Sequence, residues 1–458
     1  MVSTRAVAVV ASVLIVFASV ASAAKRGDIR FVEVQPKICD PNVVQYAGYV
    51  TINPEEAVEY FFWFFGSRSP TAATDPVALW MTGGPGCSSE LAILVENGPC
   101  TIASNLSTVS NPYSWNNIAN MIYIDQPAGT GFSSGDLGGY AHNEKEVSDD
   151  MYVFLQSWFK TFPQYQANDF YITGESYGGH YVPATSHRVY EGNLNKEGIY
   201  INLKGVSVGN GLTDPSVQYQ YYAQLAYNWS ISLVGEPRVS LQQYDSMTAA
   251  IPKCVEMIQE CQKNSAACPA AETFCNGAEF NPFFESGYNP YDIRAKCVGG
   301  GLCYNFDNEV SWLNLPSVQS ALGVNKQWSI CSDTVNGGFS HDWMKDYQND
   351  IPAQLTNGTK FLIYAGDCGF ICNWIGNKQW ALGLEWPGKT AFNAAKDVPW
   401  MYSDSDGASK QGGIVRSANG FTFLQVFGAG HMVPMNQPAA ALAFFRTLIT
   451  GADFPSVA

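Results

Sequence analysis

Six short apolar runs, each stopping at a turn of glycine, proline or small polar residues, set the rhythm of the chain. They begin with Val77 to Met81 before Thr82-Gly83-Gly84-Pro85-Gly86, Met121 to Ile124 before Asp125-Gln126-Pro127, and Phe170 to Thr173 before Gly174. Gly205 to Val208 before Gly209-Asn210-Gly211, Phe361 to Ala365 before Gly366-Asp367, and Phe421 to Val426 before Gly428-Ala429-Gly430-His431 complete the set. Runs of this length without polar alternation predict strands covered on both faces, the habit of parallel sheets. Between the second and third, Val147, Met151, Leu155, Trp158 and Phe162 recur at helical spacing, and Pro163 stops the helix predicted from Glu144 to Phe162. Strands alternating with helices predict an α/β fold with its chemistry at the glycine turns, where parallel strands end.

Residues 214–316 break that rhythm. Cys254, Cys261, Cys268 and Cys275 recur every seven residues, followed by Cys297 and Cys303. A heptad stripe would produce the same spacing, but the asparagine, proline and glycine content after Cys261 does not suit one long helix. The expectation is a disulfide-stapled helical cap inserted into the main domain. The chain then divides into 1–24, a leader; 25–213, the first part of the core; 214–316, the cap; and 317–458, the second part of the core.

The leader is read from Arg5, the apolar stretch Ala6 to Val20 and the small residues Ala21-Ser22-Ala23-Ala24, the three-part pattern of a secretory signal peptide cleaved near Ala23 or Ala24. No other segment approaches the roughly 20 apolar residues of a spanning helix, so no membrane span is expected after cleavage. Forty acidic against 25 basic residues give a formal charge of -15, which argues against nucleic-acid or anionic-membrane partners and suits an acidic compartment. Twelve cysteines on a secretory route predict disulfides. With no Cys-x2-Cys pair and five scattered histidines, neither a metal nor another cofactor is expected. Sequons at Asn105, Asn228 and Asn357 predict glycan attachment.

The third apolar run leads straight into Gly174-Glu175-Ser176-Tyr177-Gly178. Glycines around a serine between a strand and a helix predict a nucleophile elbow, a tight turn that lifts Oγ to the sheet edge. Such an elbow needs an acid and then a histidine later in the chain, and His431, on the turn after the final run, is the last histidine.

Further motifs follow in order: Asp40-Pro41-Asn42-Val43, Gly83-Gly84-Pro85-Gly86-Cys87-Ser88-Ser89, Gly174 to Tyr181, and Gly209-Asn210-Gly211-Leu212-Thr213-Asp214-Pro215. Tyr291-Asp292-Ile293-Arg294, Phe370-Ile371-Cys372-Asn373-Trp374 and Gly430-His431-Met432-Val433-Pro434 continue them. On these the chain resembles the serine carboxypeptidases of the carboxypeptidase Y and cathepsin A family. The resemblance implies an α/β-hydrolase fold, Ser176 as nucleophile, His431 as general base, and an oxyanion hole from the N–H groups of Gly84 and Tyr177. It also implies that Glu96 and Glu175, sharing a proton, hold the free carboxylate of a peptide or protein C-terminus together with Thr82 and Gly83. Tyr177, Trp343 and Ile371 would surround the penultimate residue, and Met432 the terminal one.

The same resemblance suggests disulfides Cys87–Cys331, Cys254–Cys275, Cys261–Cys268 and Cys297–Cys303, with Cys372 free. Of the rest, Cys39 is expected to pair with Cys100, leaving Cys368 free. His180 and His187 are read as structural, and His142 and His341 have no catalytic partner. The implied compartment is lysosome-like, vacuolar or extracellular, and the implied assembly is a monomer or homodimer.

Two positions depart from the family pattern. Thr82 stands where many relatives carry a carboxylate-binding asparagine. Gly369 stands where the triad aspartate belongs, because the usual Gly-Asp-x-Asp reads Gly366-Asp367-Cys368-Gly369. Asp367 is the expected substitute, with Asp214 the weaker candidate. The leading expectation is an acid-active serine carboxypeptidase; the alternatives are an inactive scaffold that binds or protects, and an acyltransferase using the same groups.

Overall fold

The computed structural model describes residues 24–299, 302–404 and 407–454. Residues 1–23 of the expected leader lie outside the described residues. Eleven strands form one sheet: β1 (Ile29–Glu33), β2 (Gln45–Asn53), β3 (Val58–Phe65), β4 (Val77–Met81), β5 (Asn120–Ile124), β6 (Phe170–Glu175), β7 (Leu203–Gly209), β8 (Lys360–Gly366), β9 (Val398–Ser403), β10 (Ser409–Ala418) and β11 (Phe421–Val426). Their spatial order is β1-β2-β3-β5-β4-β6-β7-β8-β11-β10-β9.

The strands from β5 through β11 in that order are parallel, and they are the six apolar runs. Every residue of β4 is buried, as a strand covered on both faces requires. Both edges are antiparallel: β1, β2 and β3 lead into β5, and β10 and β9 follow β11. These five edge strands go beyond the sequence expectation.

One face is covered by the helix Glu144–Thr161, which starts at an Asn143 side chain accepting the Glu146 N–H and ends at Phe162 before Pro163. Its Phe154 and Trp158 pack edge-on or tilted against Phe62 and Phe64 of β3. The other face is covered by the helix Pro438–Ile449, whose Phe445 stacks on Trp115 with ring centroids 4.0 Å apart. Parallel strands under helices on both faces make this the α/β-hydrolase fold.

None of the eleven strands comes from 214–316, which falls between β7 and β8. There the helix Leu241–Lys263 ends and a second, Cys268–Cys275, folds back beside it. The seven-residue spacing therefore yields nested pairs across two helices, Cys254–Cys275 and Cys261–Cys268. Cys39–Cys100, Cys87–Cys331 and Cys297–Cys303 are also joined, while Cys368 and Cys372 are free and buried. Among the described residues no helix is long and apolar enough to cross a membrane.

Candidate active site

Ser176 occupies the turn between β6 and the helix Gly178–Asn195 with φ of +65°, a left-handed backbone unusual for a side chain with a Cβ. Its N–H donates to the Gly209 carbonyl, and its own carbonyl accepts from the N–H groups of Gly179 and Leu212, so the turn is pinned from both sides. A β-carbon at Gly174 would lie 2.5 Å from the Met81 carbonyl, and one at Gly83 would lie 2.3 Å from the Tyr177 nitrogen. Only glycine lets the 82–84 loop reach the elbow this closely. That approach brings the Gly84 and Tyr177 N–H groups to one locality, and among the described residues neither has an acceptor.

His431 follows β11. Its N–H donates to the Tyr291 carbonyl at 2.7 Å, and its ring meets the Tyr291 ring edge to face at 5.2 Å. Nδ1 lies 3.1 Å from the Ile371 carbonyl oxygen, while Nε2 is buried and has no hydrogen-bond partner among the described residues. Ser176 and His431 both line one cavity of about 540 Å³. Burial drives the imidazole down to about 4.

Glu96 and Glu175 line the same cavity, close enough for each carboxyl to perturb the other. Burial pushes Glu96 up to about 7, and burial together with its neighbour's charge holds Glu175 well above the carboxylate range. The pair therefore keeps a proton between them in acid solution. One oxygen of each has no hydrogen-bond partner among the described residues. Beside them the Trp80 indole donates to Thr82 Oγ1 at 2.9 Å, which leaves the threonine hydroxyl hydrogen for a ligand.

The acid position is different from the expectation. The Asp367 carboxylate accepts from the Gly428 N–H at 2.9 Å and the Cys368 thiol at 3.2 Å, and no hydrogen bond joins it to His431. Asp214 caps the short helix Pro215–Gln218 and accepts from Ser216 and Gln348, so it is occupied as well. Position 369 lies against the backbone of the histidine: a β-carbon at Gly369 would lie 3.0 Å from the His431 main-chain nitrogen and 3.3 Å from Asn210 Nδ2.

A family model described as "Serine carboxypeptidase" matches residues 36–451. The chain belongs to the serine carboxypeptidase family. Among its relatives, serine carboxypeptidase-like 48 of Arabidopsis thaliana is 43% identical over 413 residues, which covers 89% of this chain and 78% of that protein. Carboxypeptidase Y homolog A of Arthroderma gypseum is 42% identical over 437 residues, covering 93% and 78%. The fold is also that of a prohormone-processing carboxypeptidase from Saccharomyces cerevisiae, with a TM-score of 0.79, 23% identity and coverage of 92% of this chain and 94% of that one.

Of the residues that the serine carboxypeptidase resemblance assigned to side-chain pockets, Met432 lines the cavity and Tyr177, Trp343 and Ile371 do not. Trp343 packs beside Tyr177 with ring centroids 5.5 Å apart and donates to the Tyr219 hydroxyl, while Ile371 contributes its carbonyl to His431. Sequence reasoning missed the apolar wall of Leu91, Leu302, Tyr304, Phe306, Val310 and Trp328, which no local motif marks. It also missed Asp342, whose carboxylate accepts from the hydroxyls of Tyr177 and Tyr347 and so braces the residue after Ser176. His180 is buried with Nδ1 on the Leu212 carbonyl, and His187 pairs with Asp350, consistent with structural roles.

Proposed function

We propose that the protein is an acid-active serine carboxypeptidase that releases single residues from peptide C-termini through an acyl-enzyme. The observation that carries this reading is the proton-sharing pair Glu96 and Glu175 in the cavity that Ser176 and His431 also line. A free carboxylate accepts hydrogen bonds from such a pair and from the Thr82 hydroxyl while a proton remains, and is repelled once both acids ionise. This sets the last peptide bond over Ser176 and makes the cut one residue from the end.

In the proposed reaction, Ser176 Oγ attacks the carbonyl carbon of that bond while His431 Nε2 takes the hydroxyl proton. The oxyanion forms between the N–H groups of Gly84 and Tyr177. Collapse expels the terminal amino acid, whose nitrogen receives the proton from His431. Water then attacks the acyl-enzyme by the same route and frees Ser176. His431 acts as a base above about pH 4, and both acids stay protonated up to about pH 7, where Glu96 ionises while Glu175 keeps its proton, so the window with the full donor pair lies between.

Secretory delivery and glycans on Asn105, Asn228 and Asn357 belong to the same proposal; all three asparagines are exposed. The bare Gly369 position favours a second reading, an inactive scaffold. The test is hydrolysis of apolar blocked dipeptides at pH 5 by purified protein, alongside labelling of Ser176 by a fluorophosphonate. Release of the free terminal residue, abolished in Ser176→Ala, with KM rising as pH passes 7, supports the peptidase. Absence of both release and label supports the scaffold, whereas labelling with transfer of the acyl group to an added alcohol in preference to water identifies an acyltransferase.

A further inference from the structure

A histidine acting as general base must present a lone pair on one nitrogen while the other carries the proton and is held in place. In His431 the holder is visible. Nδ1 lies 3.1 Å from the Ile371 carbonyl. A carbonyl only accepts, so the hydrogen sits on Nδ1 and Nε2 keeps its lone pair. Nε2 is the buried nitrogen without a hydrogen-bond partner among the described residues, on a ring that lines the cavity with Ser176.

The carbonyl is itself fixed. The N–H groups of Phe370 and Ile371 both donate to the Pro290 carbonyl at 3.0 Å, and the Cys372 N–H donates to the Tyr222 hydroxyl. Beyond it, the Cys372 carbonyl accepts from Asn377 at 2.8 Å and from Asn210 at 3.4 Å. On the other side, the Tyr291 carbonyl holds the His431 backbone. Both partners of the Nδ1 bond therefore rest on anchored backbone, which is what preorganisation requires.

We infer that the third member of the catalytic group is the Ile371 main-chain carbonyl, a positioning group that orients His431 in place of the side-chain acid missing at Gly369. This rests on the acyl-enzyme reading above. A carboxylate does two things for such a histidine: it fixes the tautomer, and it stabilises the imidazolium that forms when the serine proton arrives. The carbonyl does the first fully and the second only as a dipole. The titratable groups nearby add no charge in acid solution: Tyr291, whose ring meets the imidazole, is a neutral phenol, burial raises the thiol of Cys372, next to Ile371 in the chain, to about 12, and Glu175 in the same cavity is held protonated beside Glu96. Replacing a triad acid by an amide costs about four orders of magnitude because the wrong tautomer results. With the correct tautomer retained, the deficit here is smaller, about ten- to a thousandfold.

The experiment restores the acid. Gly369→Asp should raise kcat about ten- to a thousandfold with KM little changed, and should move the acid limb of kcat/KM upward by about one pH unit or more, because a carboxylate favours the imidazolium. Gly369→Asn, similar in volume and uncharged, should give neither change. A second measurement needs no variant: nitrogen-15 NMR of the His431 ring in the resting wild-type protein at pH 6 should find Nδ1 protonated and Nε2 bare. A folded Gly369→Asp enzyme with unaltered kcat and acid limb overturns the inference, and so does a ring proton on Nε2. If that variant does not fold, the NMR result decides alone. Failure of Ser176 to react with a fluorophosphonate would instead remove the peptidase reading, and the ring tautomer would still be read independently.

Discussion

Glu96 and Glu175 stand against each other away from water, so they cannot both be charged at low cost. Replacing one by its amide separates the proton from the donor it supplies. In Glu96→Gln the amide donates at every pH, so KM for blocked dipeptides should stay nearly flat from pH 6 to 8, where the wild-type value rises about tenfold as Glu96 loses its proton near pH 7. Steady-state kinetics across that range decide it, and a variant whose KM climbs in parallel with the wild type would refute the shared-proton account. At this scale Ser176, His431 and Glu175 were legible because each is written into a local motif. The Ile371 carbonyl was not, because every residue has a carbonyl and only the folded loop aims one at Nδ1. Asp367 misled for a related reason. Its place two residues from Gly369 says nothing of where its side chain turns, and it turns toward the Gly428 N–H.

The elbow and the 82–84 loop work as one element because a bare backbone fits between them. A methyl at position 83 would meet the Tyr177 nitrogen at 2.3 Å, the backbone of the elbow itself. Gly83→Ala should therefore cut kcat by at least about a hundredfold by displacing an oxyanion donor, and should cost about 1–3 kcal/mol of stability through overpacking. Turnover and thermal unfolding of that variant check both, and near-normal turnover would show that the loop has slack. The six parallel strands were legible because burial on both faces forbids polar alternation. Of the other five, β2 and β3 are almost wholly buried and were legible in principle, though not singled out, whereas β1 exposes four of its five residues and β9 is mostly exposed or half-buried. Chains in such positions carry no strong pattern, and pairing with a neighbour decides their form.

Across the molecule, buried acids outnumber the groups that oppose them. Burial raises Glu96 and Glu272 to about 7, Glu279 to about 8, and Asp150 and Asp346 to about 6, against values near 4 in an unfolded chain. Between those limits the folded state holds protons that the unfolded state has lost, so stability falls as pH rises from about 4.5 through 8. His431 and His180 work the other way, since burial depresses both and costs stability as pH falls below about 6.5, and Asp149, Glu197, Glu236 and Asp397 are held low by basic partners, but the raised carboxyls, among them also Glu90, Asp125, Glu144 and Glu175, are more numerous. Calorimetry should find Tm at pH 5.5 above that at pH 8.5 by at least about 3 °C, and an equal or higher Tm at pH 8.5 would contradict the assignment of these carboxyls.

The Cys87–Cys331 bond joins residues 244 apart in sequence, and both sulfur-bearing residues belong to the wall of the cavity. During synthesis the Gly83–Gly84 segment and Ser176 leave the ribosome long before Cys331 and His431 do. On the proposed reading, a half-translated chain would own a nucleophile but neither a closed wall nor a base, so competence to cut would await the joining of the early and late portions of the chain.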